Sequence, residues 1–201
     1  MSDTFFSGSM FMPQAWYWQA DDGRVYSGFT QTVVANTFPD YVTWVDAGNT
    51  PSTWPRNLGN EQTDDELQAV LSAYGMFVNL KYYSADKRWR KEHGGMVATE
   101  GFPVRTDDRS QAKITGLYAA AKENQTVVTS YHAADGTVHQ LDAAKMHQLN
   151  IDLLTHINNC FAVSADVLTQ IEAGTITTRG QVDAAFDAPM TAARKNWMKQ
   201  S

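Results

Sequence analysis

The stretch DAAKMHQLNIDLLTHINNCFAVSADVLTQIEAG, from Asp142 to Gly174, decides how the chain can fold. Aspartate caps a helix start and glycine ends one, and both stand at the margins of the stretch. Between them Met146, Asn150, Leu153, Ile157, Cys160, Ser164, Val167 and Ile171 recur in alternating steps of four and three. Such a heptad repeat predicts a long helix, capped by Asp142 and reaching Ala173, with one seam to bury. Asn150 and Ser164 are polar seam positions, of the kind that fix register or oligomer state. Two packings fit. Leu149, Leu154, Phe161 and Leu168 widen the stripe, which favours packing on this chain's own hairpins. The other packing is against a second copy, with Met146, Asn150, Leu153, Ile157, Ser164, Val167 and Ile171 as the oligomer seam. In either case Cys160 reads as a buried, inert thiol.

Working outward from that helix, turn and cap signals place the rest. Thr126–His132 and Thr137–Leu141 flank Asp135-Gly136, a hairpin that sets His132 opposite His139 when two turn residues are counted. Asp107 or Asp108 caps a helix over 109–123 with Ile114, Leu117, Tyr118 and Ala121 as its apolar stripe, and Gly116 admits a close neighbour. Met96–Thr99 and Phe102–Thr106 flank Glu100-Gly101. A helix from Asn79 to His93 ends at Gly94-Gly95, and Thr63 with Glu66 forms a capping box for the helix before it. Thr178 and Gln181 open a last short helix through Phe186, and 190–201 is helical or frayed. Near the start, Trp16–Ala20 and Arg24–Ser27 flank Asp22-Gly23. Two-residue counting there pairs Ala20 with Val25 and Trp18 with Ser27, so Trp16, Trp18, Ala20 and Val25 share a face. Phe38–Ala47 reads as a short helix ended by Gly48, and 49–55 as extended, since proline disfavours helix before it. The expected class is α+β: a small β-rich module with a short helix, then a helix, hairpin, helix, hairpin, long-helix domain.

The 201 residues suit one ordinary domain or two small ones. Residues 1–80 carry two basic residues against nine acidic, and 81–201 carry fourteen against thirteen; four of the six tryptophans lie in the first 54 positions. This asymmetry, with the Pro- and Gly-bearing stretch 54–61, suggests a docking module over 1–60 and a second domain over 61–201. A net charge of −6 argues against nucleic acid as the main partner. The single cysteine excludes an internal disulfide framework and a Cys-based zinc finger. The absence of a long apolar run argues against membrane insertion, and residues 1–14 lack a signal-peptide pattern, so a reducing cytoplasm is the expected place of synthesis.

The residues offer no clear catalytic constellation, and the expectation is a protein that is not an enzyme, without cofactor or metal. His132 and His139 would supply two metal ligands where a site needs three or four. Asp152 and His156, one helical turn apart, read as a surface pair. Asp107-Asp108 offers paired carboxylates, though a helix start explains them more simply. Lys87, Arg88, Arg90 and Lys91 form the strongest anion-patch candidate, with complementing a helix C-terminus as the simpler account. Phe5, Phe6, Phe11, Trp16, Trp18, Trp44 and Trp54 are interface candidates, either docking a neighbour or stacking sugars, with core packing as the alternative.

Six blocks occur in order: ADKRWRKEHGG (85–95), GFPVRTDDRSQAKITG (101–116), Ala134-Asp135-Gly136, Leu141-Asp142-Ala143, Asn159-Cys160-Phe161 and IEAGTITT (171–178). Over about 80–180 the chain resembles a C-terminal domain of unknown function found in tail proteins of tailed bacteriophages. Met146-His147-Gln148 is more polar than the start of that family's last long helix. Pro39–Trp44, Gly48–Pro51 and Trp54-Pro55 resemble pieces of phage tail-fibre and tail-fibre-assembly proteins. The resemblance implies a structural tail component, an adaptor or decoration subunit at the baseplate or fibre attachment. Its implied partners are other tail proteins and further copies of itself, a trimer among the forms, with the virion tail as its place and the host cytoplasm during assembly. An assembly chaperone missing from the finished particle is the alternative, followed by host-glycan binding or hydrolysis.

Overall fold

The computed structural model describes residues 11–188. The fold is mixed α+β and forms two compact units, Met1–Tyr83 and Ser84–Ser201. The expected boundary at 60/61 therefore falls inside the first unit. Leu67, Leu71, Met76 and Val78, all beyond it, pack in one cluster with Trp18, Tyr26 and Trp54. The loop between Trp54 and Asp64 is punctuation within a domain because both its ends are tied down. The Trp54 amide donates to Gln19 O (2.8 Å), and Gln62 Nε2 donates back to Trp54 O (3.0 Å).

The first unit is built on a four-stranded sheet of β1 (Tyr17–Gln19), β2 (Val25–Ser27), β3 (Thr32–Val34) and β4 (Ser52–Thr53), in the order β3-β2-β1-β4. β4 joins β1 in parallel; the other pairs are antiparallel. One sheet face, with Trp18 and Tyr26, is covered by helix α2 (Asp64–Ser72) through Leu67 and Leu71. The other, with Tyr17 and Val25, gathers Tyr41 from α1 (Pro39–Asp46). Gly28 marks a close approach, since a Cβ there would lie 2.0 Å from Pro13 O. Helix α3 (Leu80–His93) runs from the end of this unit into the second.

The second unit contains the hairpin β5 (Met96–Val97)–β6 (Pro103–Val104), helix α4 (Asp108–Glu123), the hairpin β7 (Val128–His132)–β8 (Val138–Asp142), the long helix α5 (Ala143–Glu172) and α6 (Arg179–Asp187). Asp142 caps α5 by accepting from Lys145 N (2.9 Å), and Thr178 and Gln181 make the reciprocal capping box of α6. The core joins Phe102, Val104, Ile114, Ala121, Leu141, Met146, Leu149 and Leu153. Met146 is fully buried, so the polar start of α5 does not prevent its docking. Each large apolar side chain so buried contributes about 1.5–3 kcal/mol. At Gly116, by contrast, nothing lies within 4 Å of a Cβ position, so no close neighbour uses the gap.

One turn recurs three times. Ala20, Ala98 and Ala133 each donate their amide to the residue four positions on: Arg24 O (2.9 Å), Phe102 O (3.0 Å) and Thr137 O (2.9 Å). Each alanine carbonyl accepts from the glycine three positions on, and Gly23, Gly101 and Gly136 take φ of +88°, +88° and +86°. An acid precedes the glycine each time. This is the three-residue hairpin loop with a left-handed glycine, not the two-residue loop. The extra residue shifts both expected registers by one. Gln19 now faces Val25, and Trp18 faces Tyr26. A one-residue slip turns a side chain to the opposite face, so Val25 packs with Tyr17 rather than with Trp18 and Ala20. In the β7–β8 hairpin His139 faces Tyr131 and His132 faces Val138, which removes the expected histidine pair.

Candidate functional site

The interface candidates divide by burial. Trp18 and Trp54 are 2% and 0% exposed and belong to the core. The Trp54 indole donates to Thr63 O (2.7 Å), and the Arg24 guanidinium lies over its ring at 4.7 Å. Neither ring is free to dock a partner. Phe5 and Phe6 lie outside the described residues. What remains outward is an aromatic run of Phe11, Trp16 and Trp44. Phe11, 44% exposed, meets Trp16 edge-on at 5.2 Å, and Trp16 meets Trp44 at 5.1 Å. Both tryptophans are half-buried, and Trp16 Nε1 donates to Ser52 Oγ (3.0 Å). Tyr74, against Phe11, and Phe29, against Tyr17, are exposed and were not foreseen, because their exposure follows from the turns that carry them.

Helix α5 presents two heptad stripes. The expected seam is occupied by this chain itself. Met146, Asn150, Leu153, Ser164 and Val167 are buried, Ile157 and Ile171 are partly so, and α5 packs on α4, β8 and α6. The seam is therefore an intramolecular one. Burial pushes the Cys160 thiol above its ordinary value, which keeps it protonated and unreactive at neutral pH. One position further along, Ile151, Leu154, Asn158, Phe161, Ala165 and Leu168 repeat the same spacing. Ile151, Leu154 and Phe161 are 42%, 51% and 51% exposed. Histidines aside, Asp152 is the sole ionisable side chain from Met146 to Ala165 apart from the Cys160 thiol. Asp152 is engaged elsewhere, accepting from Thr99 N (2.7 Å) and Thr99 Oγ1 (2.8 Å). The outer face of α5 is thus largely apolar: the Arg88 guanidinium lies over the Phe161 ring at 4.5 Å, while Ile151 and Leu154 stay exposed.

The titratable pairs read from sequence resolve into structural roles. Asp152 and His156 do not meet as a pair; His156 Nε2 lies 3.1 Å from Lys91 O and 3.2 Å from Glu92 O. Asp107 caps α4, accepting from Ser110 N (3.0 Å) and Ser110 Oγ (2.8 Å), which holds its carboxyl below the usual range. Asp108 turns away to His93 Nε2 (2.9 Å). The basic run of α3 is neutralised: Lys87 pairs with Asp183 (2.7 Å), Arg88 with Glu92, Arg90 with Asp86 (2.7 Å) and Lys91 with Asp187 (2.6 Å). It is not an anion patch. Among the described residues no group of three or more His, Cys, Asp or Glu side chains is placed to hold a metal.

His93 gives a pH test. Its hydrogen bond to Asp108, helped by Trp89 O at 2.8 Å, raises its pKa above 6.5. A histidine whose folded value is raised stabilises the fold fully below the unfolded value, and that share is lost as pH rises through the folded one. Asp108 is largely exposed, so the share is small. Asp108→Asn is expected to return the His93 titration, followed by NMR of its ring protons, toward the ordinary value. An unchanged midpoint would show that Asp108 does not set it.

Residues 78–189 match the model of a family described as Domain of unknown function (DUF4376). Comparison with curated proteins and with solved structures gave no significant match.

Proposed function

The chain belongs to the DUF4376 family, and from that premise we propose that it is a structural component of a bacteriophage tail, an adaptor or decoration subunit that assembles in several copies. The ordered sequence blocks over 80–180 support the phage setting. The observation that carries the structural role is the outer face of α5. A stripe with Ile151, Leu154 and Phe161 in heptad spacing, where the Arg88 guanidinium over Phe161 is itself paired with Glu92, is surface suited to being covered. A second copy fits it, because a stripe whose nearby Arg88 is already paired with Glu92 meets its own image with little like-charge repulsion, despite the net charge of −6. The Phe11–Trp16–Trp44 edge in the first unit is the matching surface for another tail protein. The protein then resides in the virion tail, after assembly in the host cytoplasm.

Quantitative mass spectrometry of purified particles of the phage encoding this chain tests the reading. A fixed copy number per particle, in a multiple of three or six, is the expected result. Absence from particles with abundance in the infected lysate would overturn it and make the chain an assembly chaperone.

A further inference from the structure

The cations of the second unit are unevenly satisfied. Those of α3 are paired, as described. Among the described residues Arg105, Arg109, Lys113 and Lys122 form no hydrogen bond or ion pair. Two of these four, Arg105 and Lys113, line one concavity of about 520 Å³ between the start of α4 and the β7–β8 turn. Its wall also holds Ser110, Tyr131, His132 and Gly136. The backbone fixes the placement. Arg105 lies between the buried Val104 and Thr106, so strand alternation sends it to the opposite, open side. Ala134 N donates to Pro103 O (2.9 Å), which anchors the turn beside it. Lys113 stands on the first turns of α4, whose positive end adds to the local potential.

The donors there lack internal partners. Among the described residues neither the Tyr131 hydroxyl nor the His132 ring makes a hydrogen bond. The Tyr131 ring is held against Phe102 at 5.7 Å, so its position is set by packing. Asp135 lines the hollow and Asp107 caps the helix beside it, and both are engaged. Asp107 is taken by Ser110, and Asp135 accepts from Thr137 N (3.0 Å) and Thr137 Oγ1 (2.7 Å). The hollow is therefore lined by Arg105, Lys113 and Tyr131, and the Asp135 carboxylate on its wall is already bonded to Thr137.

We propose that this concavity binds the oxyanion group, phosphate or carboxylate, of a small polar ligand. Arg105 supplies a planar fork and Lys113 a point charge, the usual division between bidentate and monodentate oxyanion contacts. Tyr131 adds a donor beside them. The site stands independently of the tail reading, since it rests on no partner subunit.

The test is NMR titration of the full-length, isotopically labelled chain at constant ionic strength. The probes are inorganic phosphate, glucuronate and, as uncharged control, glucose. Saturable shifts of the Ser110 and Gly136 amides with phosphate or glucuronate, and none with glucose, are expected; which anion saturates identifies the group. Arg105→Gln and Lys113→Gln should each weaken binding roughly tenfold, the scale of one charge-assisted hydrogen bond. Lys122→Gln removes the same charge at the far end of α4 and should leave binding unchanged. Shifts that never saturate, equal loss in Lys122→Gln, or equal saturation by glucose would each overturn the proposal.

Discussion

Trp54→Ala is expected to remove about 3–5 kcal/mol of stability, the range for deleting a fully buried large aromatic. The ring is 0% exposed and sits among Trp18, Leu67, Leu71 and Met76. Its loss also strands Thr63 O, which receives the indole N–H at 2.7 Å just ahead of α2. The Arg24 guanidinium above it loses its aromatic floor, although its contacts to Asp22 (2.8 Å), Asp64 (3.1 Å) and Gln62 O (2.8 Å) hold it in place. Trp54→Phe keeps most of the packing and loses the hydrogen bond, so it should cost less. Phe11→Ala, at a residue 44% exposed, should move stability by under about 1 kcal/mol. Urea denaturation followed by circular dichroism reads all three. A wild-type midpoint for Trp54→Ala would return Trp54 to the docking residues.

That contrast shows what the sequence could and could not supply. Trp18 lies on β1 and is fully buried with Leu67 and Leu71, whereas Trp16, just before the strand, packs against the same cluster and stays half-buried. Burial there is decided by residues about fifty positions away, and local spacing carries no trace of them. The same holds for the unit boundary. The Gln68 side chain accepts from Val78 N (2.9 Å) and donates to Met76 O (3.0 Å), binding the segment after α2 to the first unit. Composition marks the loop at 54–61 but cannot report that contact. Local chemistry was legible: the Thr63, Asp107, Asp142 and Thr178 caps stand where their side chains implied, and Gly48 and Gly174 end their helices with positive φ. The hairpins were legible as hairpins. Their register was not, because Asp-Gly and Glu-Gly serve both two- and three-residue loops. In the candidate groove, Arg105 and Lys113 gave no signal of their own. They became noticeable once the denser basic run of α3 proved to be fully paired.

Helix α5 carries the sharpest test of how a periodic stripe is assigned. Leu153 and Leu154 are neighbours in sequence and opposites in role. Leu153, 2% exposed, sits in the core with Ile114 and Met146; Leu154 is 51% exposed on the outer stripe. Leu153→Ala should cost about 2–5 kcal/mol, the transfer and cavity cost of a buried leucine, without altering association of the protein that remains folded. Leu154→Glu should do the reverse. Its thermal or urea midpoint should stay within about 0.5 kcal/mol of wild type, as for a surface change. Its self-association should be abolished, because a carboxylate desolvated against its own copy has no partner. Sedimentation over a concentration series, run beside denaturation, separates the two effects. If Leu154→Glu associates like wild type, or if wild type is monomeric throughout, the outer stripe is not a contact between copies. If Leu153→Ala instead disperses the assembly and leaves stability intact, the inner seam is the intermolecular one after all. A helix whose apolar face is two heptad stripes wide admits both assignments from spacing alone. What distinguishes them is which stripe the hairpins and α4 already cover, and that is a property of the folded chain.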